Sequence, residues 1–276
     1  MPEGPEIRRA ADRIEKQIGG KILEDVWFAF PELASQASSL IGVNVSAVDT
    51  WGKAMLIRFA DHRVLYSHNQ LYGVWKPHAA DKPPNTSRSL RVRLVADGRA
   101  ASLYSASDVS LWEEERLAHH PFLSRLGPDL LSQQVSAADV QQRLLLPAFR
   151  RRSLGSLLRG QGLVAGLGNY LRSEILFFSQ LHPKQRPSDL TSEQLSVLSS
   201  HIIDITRTAY RTAGVTNQDA WIEQAIASGE PRRQWRFSVF ERAGLSCHRC
   251  GSVIERMTVG SRRLYWCPRC QQSPSS

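Results

Sequence analysis

AMLIRFADHRVLYSH, residues 54–68, holds two six-residue runs of strand-forming side chains separated by a turn at Asp61–His62. Apolar, β-branched and aromatic residues bounded by turn formers predict adjacent strands. Working outward, VWFAF and VNVSAV precede this stretch, and YGVWKP, LRVRLV and ASLYSA follow it, with a further turn at Asp97–Gly98. Short strands at near-regular spacing from Ile22 to about Ser107 predict an antiparallel sandwich or barrel. The segment His78–Arg88, rich in Pro, Ala and polar residues, reads as an exposed loop.

The flanks have other periodicities. Ile7, Ala10, Ala11, Ile14 and Ile18 fall on one face of a helix over Pro5–Ile18, with Pro5 at its first position and Gly4 as N-cap. After Ala106 the chain reads as helical, with candidates at Ala137–Leu146, Ser153–Arg159, Asn169–Leu181 and Thr191–Ala213. The composition shifts near Leu131–Ser136, and a short strand-like segment bearing all the cysteines closes the chain. The expectation is an α+β fold of two domains. An N-terminal helix plus antiparallel β-sandwich occupies residues 1–131, and a helical domain over 132–234 ends in a cysteine hairpin over 235–271.

Cys247-His-Arg-Cys250 and Cys267-Pro-Arg-Cys270 form two C-x2-C knuckles sixteen residues apart. This spacing predicts one structural zinc ion in a four-thiolate site with no position left for water. Paired disulfides fit poorly in a reducing compartment. The chain carries 35 Lys+Arg against 26 Asp+Glu, a formal +9, which points to a polyanionic partner. Only six basic residues are lysines, and the rest are arginines suited to bidentate phosphate contact. Nine arginines lie between residues 231 and 270, against Glu241 and Glu255. No stretch of about 18 apolar residues exists, and MPEGPEIRR is too polar for a signal peptide, so a cytoplasmic, membrane-free protein is expected.

Met1 precedes Pro2, and removal of the methionine leaves a secondary amine at the chain terminus. An α-amino group titrates near ~8, so part of it is neutral and nucleophilic at physiological pH. Such an amine attacking an anomeric carbon gives an iminium ion, an electron sink for later eliminations. Glu3 beside it can pass a proton to the ring oxygen as the sugar opens.

Pro2-Glu3-Gly4-Pro5-Glu6 ahead of a helix, together with the four-cysteine ribbon, resembles the Fpg/Nei family of DNA glycosylase/AP lyases along the whole chain. The resemblance implies Pro2 as nucleophile, Glu3 as acid and Glu6 as a second acidic group near the site. Lys53, in Thr50-Trp51-Gly52-Lys53-Ala54, matches the lysine the family uses at the abasic site during elimination. The triplet Gln70-Leu71-Tyr72 resembles the wedge of the endonuclease VIII (Nei) branch, an apolar hairpin tip that fills the hole left by a flipped base. Arg125 matches a DNA-contacting arginine. Gly166-Leu167-Gly168-Asn169-Tyr170 resembles the turn of a helix–two-turn–helix motif, with Asn169 on a phosphate. Glu174 is assigned to the lesion pocket, and Arg262 aligns with the finger arginine. Arg263 departs from the usual residue, which leaves the choice between the two open, and Gly214–Arg233 departs most from the family pattern.

The implied function is base-excision repair. A monomer, cytoplasmic and nucleoid-associated when acting, binds double-stranded DNA with an oxidised or abasic site. It removes oxidised pyrimidines through a Pro2 Schiff base, followed by β,δ-elimination. The alternatives are an Fpg-type enzyme for oxidised purines and a non-catalytic zinc-ribbon DNA-binding protein.

Overall fold

Ile7, Ala11, Ile14 and Ile18 are all buried along one face of helix α1, which runs Gly4–Ile18 in the computed structural model. The structure describes residues 2–131 and 134–272. Helix α1 begins one residue earlier than expected, so Gly4 lies inside the helix rather than capping it. Contacts divide the chain into two units: Pro2 with Glu6–Arg125, and Glu3–Pro5 with the chain from Leu126 onward.

The first unit is the expected sandwich. After α1 come β1 (Asp25–Phe28), the short helix α2 (Pro31–Ala34), β2 (Val45–Trp51), β3 (Ala54–Phe59), β4 (Arg63–His68), β5 (Val74–Ala79), β6 (Leu90–Ala96), β7 (Arg99–Tyr104) and β8 (Asp108–Glu113). They form two antiparallel four-stranded sheets, in the orders β1-β6-β7-β5 and β2-β3-β4-β8. Both sheets send side chains into one core with α1, including Phe28, Val48, Ile57, Leu65, Leu94 and Leu103. Burying apolar faces in this way is the main drive for a sandwich, at about 25 cal/mol per Å².

Two expectations need correction here. The chain does not turn helical after Ala106, because β8 pairs with β4 from Arg63↔Glu113 to His68↔Asp108. His78 and Ala79 end β5 rather than opening the loop, and they pair with Ala100 and Arg99.

The second unit is mainly helical: α3 (Ala137–Leu144), α4 (Leu154–Leu157), α5 (Asn169–Phe178), α6 (Ser192–Arg211), α7 (Asp219–Ala227) and α8 (Arg232–Trp235). Capping boxes set two of the starts. Ser136 and Asp139 cap α3, and Thr191 and Gln194 cap α6. Helix α5 is buried from Tyr170 to Phe177, which makes it the central post of this unit's core. The expected helices over 137–146, 153–159, 169–181 and 191–213 end earlier, at Leu144, Leu157, Phe178 and Arg211. Helix α7 falls in the stretch that departs from the family pattern.

Strands β9 (Glu255–Val259) and β10 (Arg262–Trp266) make the closing hairpin. Its two-residue turn, Gly260–Ser261, has both φ positive (56° and 59°), the hand that matches strand twist. Leu264 enters the main helical core, and Tyr265 joins Phe177, Val239, Ile254, Cys247 and Cys267 in a small second one.

Candidate functional site

The Gly166–Asn169 turn delivers the chain into α5 and forms a seat for Glu3. The Tyr170 amide donates to Glu3 Oε1 at 2.8 Å and the Leu171 amide to Oε2 at 3.3 Å. Glu3 is only 3% exposed. A carboxylate is favoured at this place because the first amides of a helix lack intrahelical partners and carry the positive end of its dipole. The Gly4 amide donates to Gly166 O at 2.9 Å, tying down the backbone beside Glu3.

One turn on, Arg172 is fully buried. Its guanidinium donates to Gly155 O at 2.7 Å, to Asn169 Oδ1 at 2.7 Å, and to the carbonyls of Arg262 and Arg263 at 3.4 and 3.2 Å. Burial, with the Arg159 charge adding to it, lowers its pKa to about 10, against an opposing pull from Glu3. The guanidinium therefore joins Asn169 to the turn end of the arginine hairpin. Sequence reasoning passed over Arg172, although a lone arginine inside the apolar run of α5 was the available signal.

Arg262 and Arg263 are themselves exposed, beginning β10 next to the hairpin turn. Arg262 pairs with Val259, closest to the tip.

Glu174 does not line a pocket. Its carboxylate is fully buried and accepts four bonds: from Thr216 Oγ1 at 2.8 Å, and from the amides of Ser238, Val239 and Phe240 at 2.9, 2.9 and 3.0 Å. These bonds fasten the segment on either side of α7 and α8 to the central helix. With its lone pairs committed, this group is a structural anchor, which corrects the pocket assignment.

In the first unit Lys53 sits in the two-residue turn Gly52–Lys53 between β2 and β3. The pairing Ala54↔His68 brings this turn and the loop after His68 to one end of the same sheet. Burial lowers the His68 pKa, the Lys53 charge adds to that, and Asp108 opposes it. Gln70, Leu71 and Tyr72 lie in that loop. It is not a hairpin tip, because β4 and β5 belong to different sheets. Leu71 and Tyr72 are 53% and 69% exposed, so they are not core residues.

Gly73 closes this loop. Its amide donates to Asn69 O at 2.7 Å, and a Cβ there would stand 2.7 Å from Asn69 Cα. Ser107 Oγ donates to Gln70 Oε1 at 3.1 Å, and Arg88 donates to Tyr72 O at 2.5 Å, which braces the loop from two sides. Arg125 is exposed at the end of a short 3-10 turn, Leu123–Arg125. Pro2 is half-buried and Glu6 lies in the first turn of α1, whereas Met1 lies outside the described residues.

The four cysteines come together as expected. Their sulfurs all lie within 4.8 Å of one another, with Cys247–Cys270 at 3.9 Å and Cys250–Cys267 at 3.4 Å. A tetrahedral zinc with ~2.3 Å bonds needs sulfurs roughly 3.8 Å apart. Burial pushes the Cys247 thiol up to about 11, whereas at Cys250 burial is outweighed by hydrogen bonds from Ser252 and the neighbouring thiols, which bring it down to about 6. The donor set fits zinc. Among the described residues, no helix is long and apolar enough to cross a membrane.

Family models match three stretches: the formamidopyrimidine-DNA glycosylase N-terminal domain at residues 1–108, its H2TH domain at 126–220, and the zinc finger found in FPG and IleRS at 244–272. The chain is 50% identical over 272 residues to Endonuclease 8 of Pectobacterium carotovorum, covering 99% of this chain and 100% of that one. Endonuclease 8 of Salmonella arizonae is 47% identical over 272 residues, with the same coverage. These relatives are bacterial, which supports a bacterial source. Among solved structures, Lactococcus lactis Fpg (MutM) in complex with N7-benzyl-Fapy-dG DNA superposes with a TM-score of 0.80 at 22% identity, covering 99% of this chain and 100% of that one. The same protein with abasic-site DNA gives 0.79 at 22% identity, covering 98% and 100%. This chain belongs to the endonuclease 8 branch of the Fpg/Nei family of bifunctional DNA glycosylase/AP lyases.

Proposed function

We propose that the protein excises oxidised pyrimidines from double-stranded DNA and then cuts the strand at the resulting abasic site. The observation that carries this reading is Glu3, fixed by the first amides of α5 next in sequence to Pro2. Pro2, freed of Met1, attacks C1′ of the extruded nucleotide. The base leaves, the sugar ring opens with a proton from Glu3, and an iminium links sugar and protein. Loss of the C2′ proton breaks the bond to the 3′ phosphate, and a second elimination breaks the bond to the 5′ phosphate. A one-nucleotide gap with phosphate at both ends remains.

Lys53 sits against the abasic site during elimination, and Glu6 is a second acidic group near it. Gln70, Leu71 and Tyr72 fill the space of the extruded nucleotide, a role that suits the exposure of the last two. Arg125 and Asn169 hold backbone phosphates, and Arg262 is the finger arginine, its hairpin fastened near the turn by Arg172. Zinc, bound by Cys247, Cys250, Cys267 and Cys270, supplies a fixed shape to that hairpin and takes no part in the chemistry.

In this reading residues 1–131 are the catalytic sandwich, 132–234 the helix–two-turn–helix DNA-binding domain and 235–271 the zinc ribbon. The protein works as a cytoplasmic monomer on the nucleoid.

Borohydride trapping on duplexes bearing thymine glycol, 8-oxoguanine or an abasic site tests this function. The expected result is a covalent adduct mapped to Pro2, formed faster on thymine glycol than on 8-oxoguanine. No adduct from zinc-loaded protein beginning at Pro2 would leave only DNA binding.

A further inference from the structure

The glycine turn ahead of α5 reads in the sequence as a place for a DNA phosphate, yet a side chain of this chain already fills it. The Tyr170 and Leu171 amides point at the two oxygens of Glu3, at 2.8 and 3.3 Å. Gly168 lies against the same side chain. A Cβ built on it would stand 2.3 Å from Glu3 Cδ, 2.4 Å from Oε1 and 2.7 Å from Cγ, closer than any real contact. Its φ of −141° is negative, but its ψ of −144° lies outside the extended and helical regions, so backbone and space both favour glycine there. To clear a Cβ at that place, the Glu3 carboxylate would have to draw back from the Tyr170 and Leu171 amides that donate to it.

We propose that Gly168 is a positioning residue for the excision reaction, because its missing side chain makes room for the Glu3 carboxylate against the N-terminus of α5. The proposal rests on the proposed catalytic role of Glu3. Hydrogen bonds from two amides and the positive helix end favour the carboxylate form. Held so, Glu3 acts first as a base and then as an acid. Pro2 nitrogen bonds to C1′ while the glycosidic bond breaks, and the base departs with that electron pair. The resulting ammonium proton passes to the Glu3 carboxylate. The nitrogen lone pair then forms the C=N⁺ iminium as the C1′–O4′ bond breaks, and O4′ takes the proton from Glu3. The carboxylate returns to its seat with no net change.

The test compares single-turnover excision of thymine glycol, and affinity for an uncleavable abasic analogue, in the wild type, Glu3→Gln, Gly168→Ala and the double variant. The expected result is a loss in rate of about 100-fold or more for Gly168→Ala, in the range general acid–base groups supply. Affinity should change less than threefold, and the double variant should be no slower than Glu3→Gln alone. A Gly168→Ala protein with the wild-type rate, or losses that multiply in the double variant, would overturn the seat while leaving the role of Glu3 intact. A Glu3→Gln protein with the wild-type rate would instead overturn the role of Glu3, and the seat's purpose with it. Should Gly168→Ala fold poorly, the ¹⁵N shift of the Tyr170 amide in otherwise native protein decides the matter. The shift is expected to move between wild type and Glu3→Gln, and an unmoved resonance would sink the proposal.

Discussion

Glu174 shows how much can depend on one buried carboxylate. Four donors from Thr216, Ser238, Val239 and Phe240 converge on it, and Glu174→Ala would leave them facing a void. The expected loss is about 3 kcal/mol or more of unfolding free energy, read from urea denaturation. Histidines give a second expectation at this scale. Burial lowers the pKa values of His68, His120, His182 and His201 from the usual 6.5. Two of them also need a bare nitrogen: His120 Nδ1 accepts from the Phe122 amide, and His182 Nδ1 from the Lys184 amide. Below about 6.5 the unfolded chain binds protons at these rings more readily than the folded one does, so stability rises with pH there. The urea midpoint should therefore stay level above about pH 6.5 and fall as the pH drops below it. A midpoint that rose on acidification would show these rings charged in the folded protein.

Among the elements, the loop after β4 and the zinc hairpin carry separate expectations. Leu71→Ala removes a side chain already 53% exposed, so the melting temperature should hold within the effect of about 0.5 kcal/mol. If Leu71 acts as the proposed wedge, excision from duplex DNA should nevertheless slow about tenfold, on the order of 1.4 kcal/mol. Chelation should release one zinc per chain, measured with a colorimetric reagent, and weaken DNA binding through loss of the hairpin's shape.

The sequence made some of these elements plain and hid others. Strands β3 and β4 are read residue for residue from 54–59 and 63–68, because their apolar runs are bounded by turns on both sides. Strand β8 was missed. Its apolar residues Val109 and Leu111 alternate with Asp108 and Ser110, but the run passes straight into charged Glu114–His119 with no turn former between. Helix α7 was hidden because its apolar residues Trp221, Ile222, Ala225 and Ile226 make no clean stripe. The cysteine cluster was legible from spacing alone. Neither Arg172 nor the seat of Glu3 could be found that way, since each depends on partners distant in sequence, which only the folded chain brings near.

For the whole molecule, the excess of 35 Lys+Arg over 26 Asp+Glu is the broadest functional statement the chain makes. If Lys53, Arg125, Arg262 and Arg263 each neutralise one phosphate, log affinity should fall against log salt with a slope of about −3 to −4. Replacing Arg125 with Ala should flatten that slope by roughly one. A slope near zero would show that the charge is a solvated surface and not a binding face. In the sandwich, three strand pairs are hairpins, β2–β3, β3–β4 and β6–β7, and three join strands distant in sequence, β1–β6, β5–β7 and β4–β8.

The bond from Tyr170 to Glu3 spans 167 positions of sequence. A ribosome releases Glu3 first and the amide that seats it much later, at rates of roughly 5–20 residues per second. For that interval the nascent chain carries a terminal proline and a glutamate with nothing to aim it. If Pro2 and Glu3 act as proposed, the chemistry waits until more than half of the protein has left the ribosome and α5 has formed. On that reading an unfinished chain has the proposed nucleophile and lacks the seated carboxylate that would serve it.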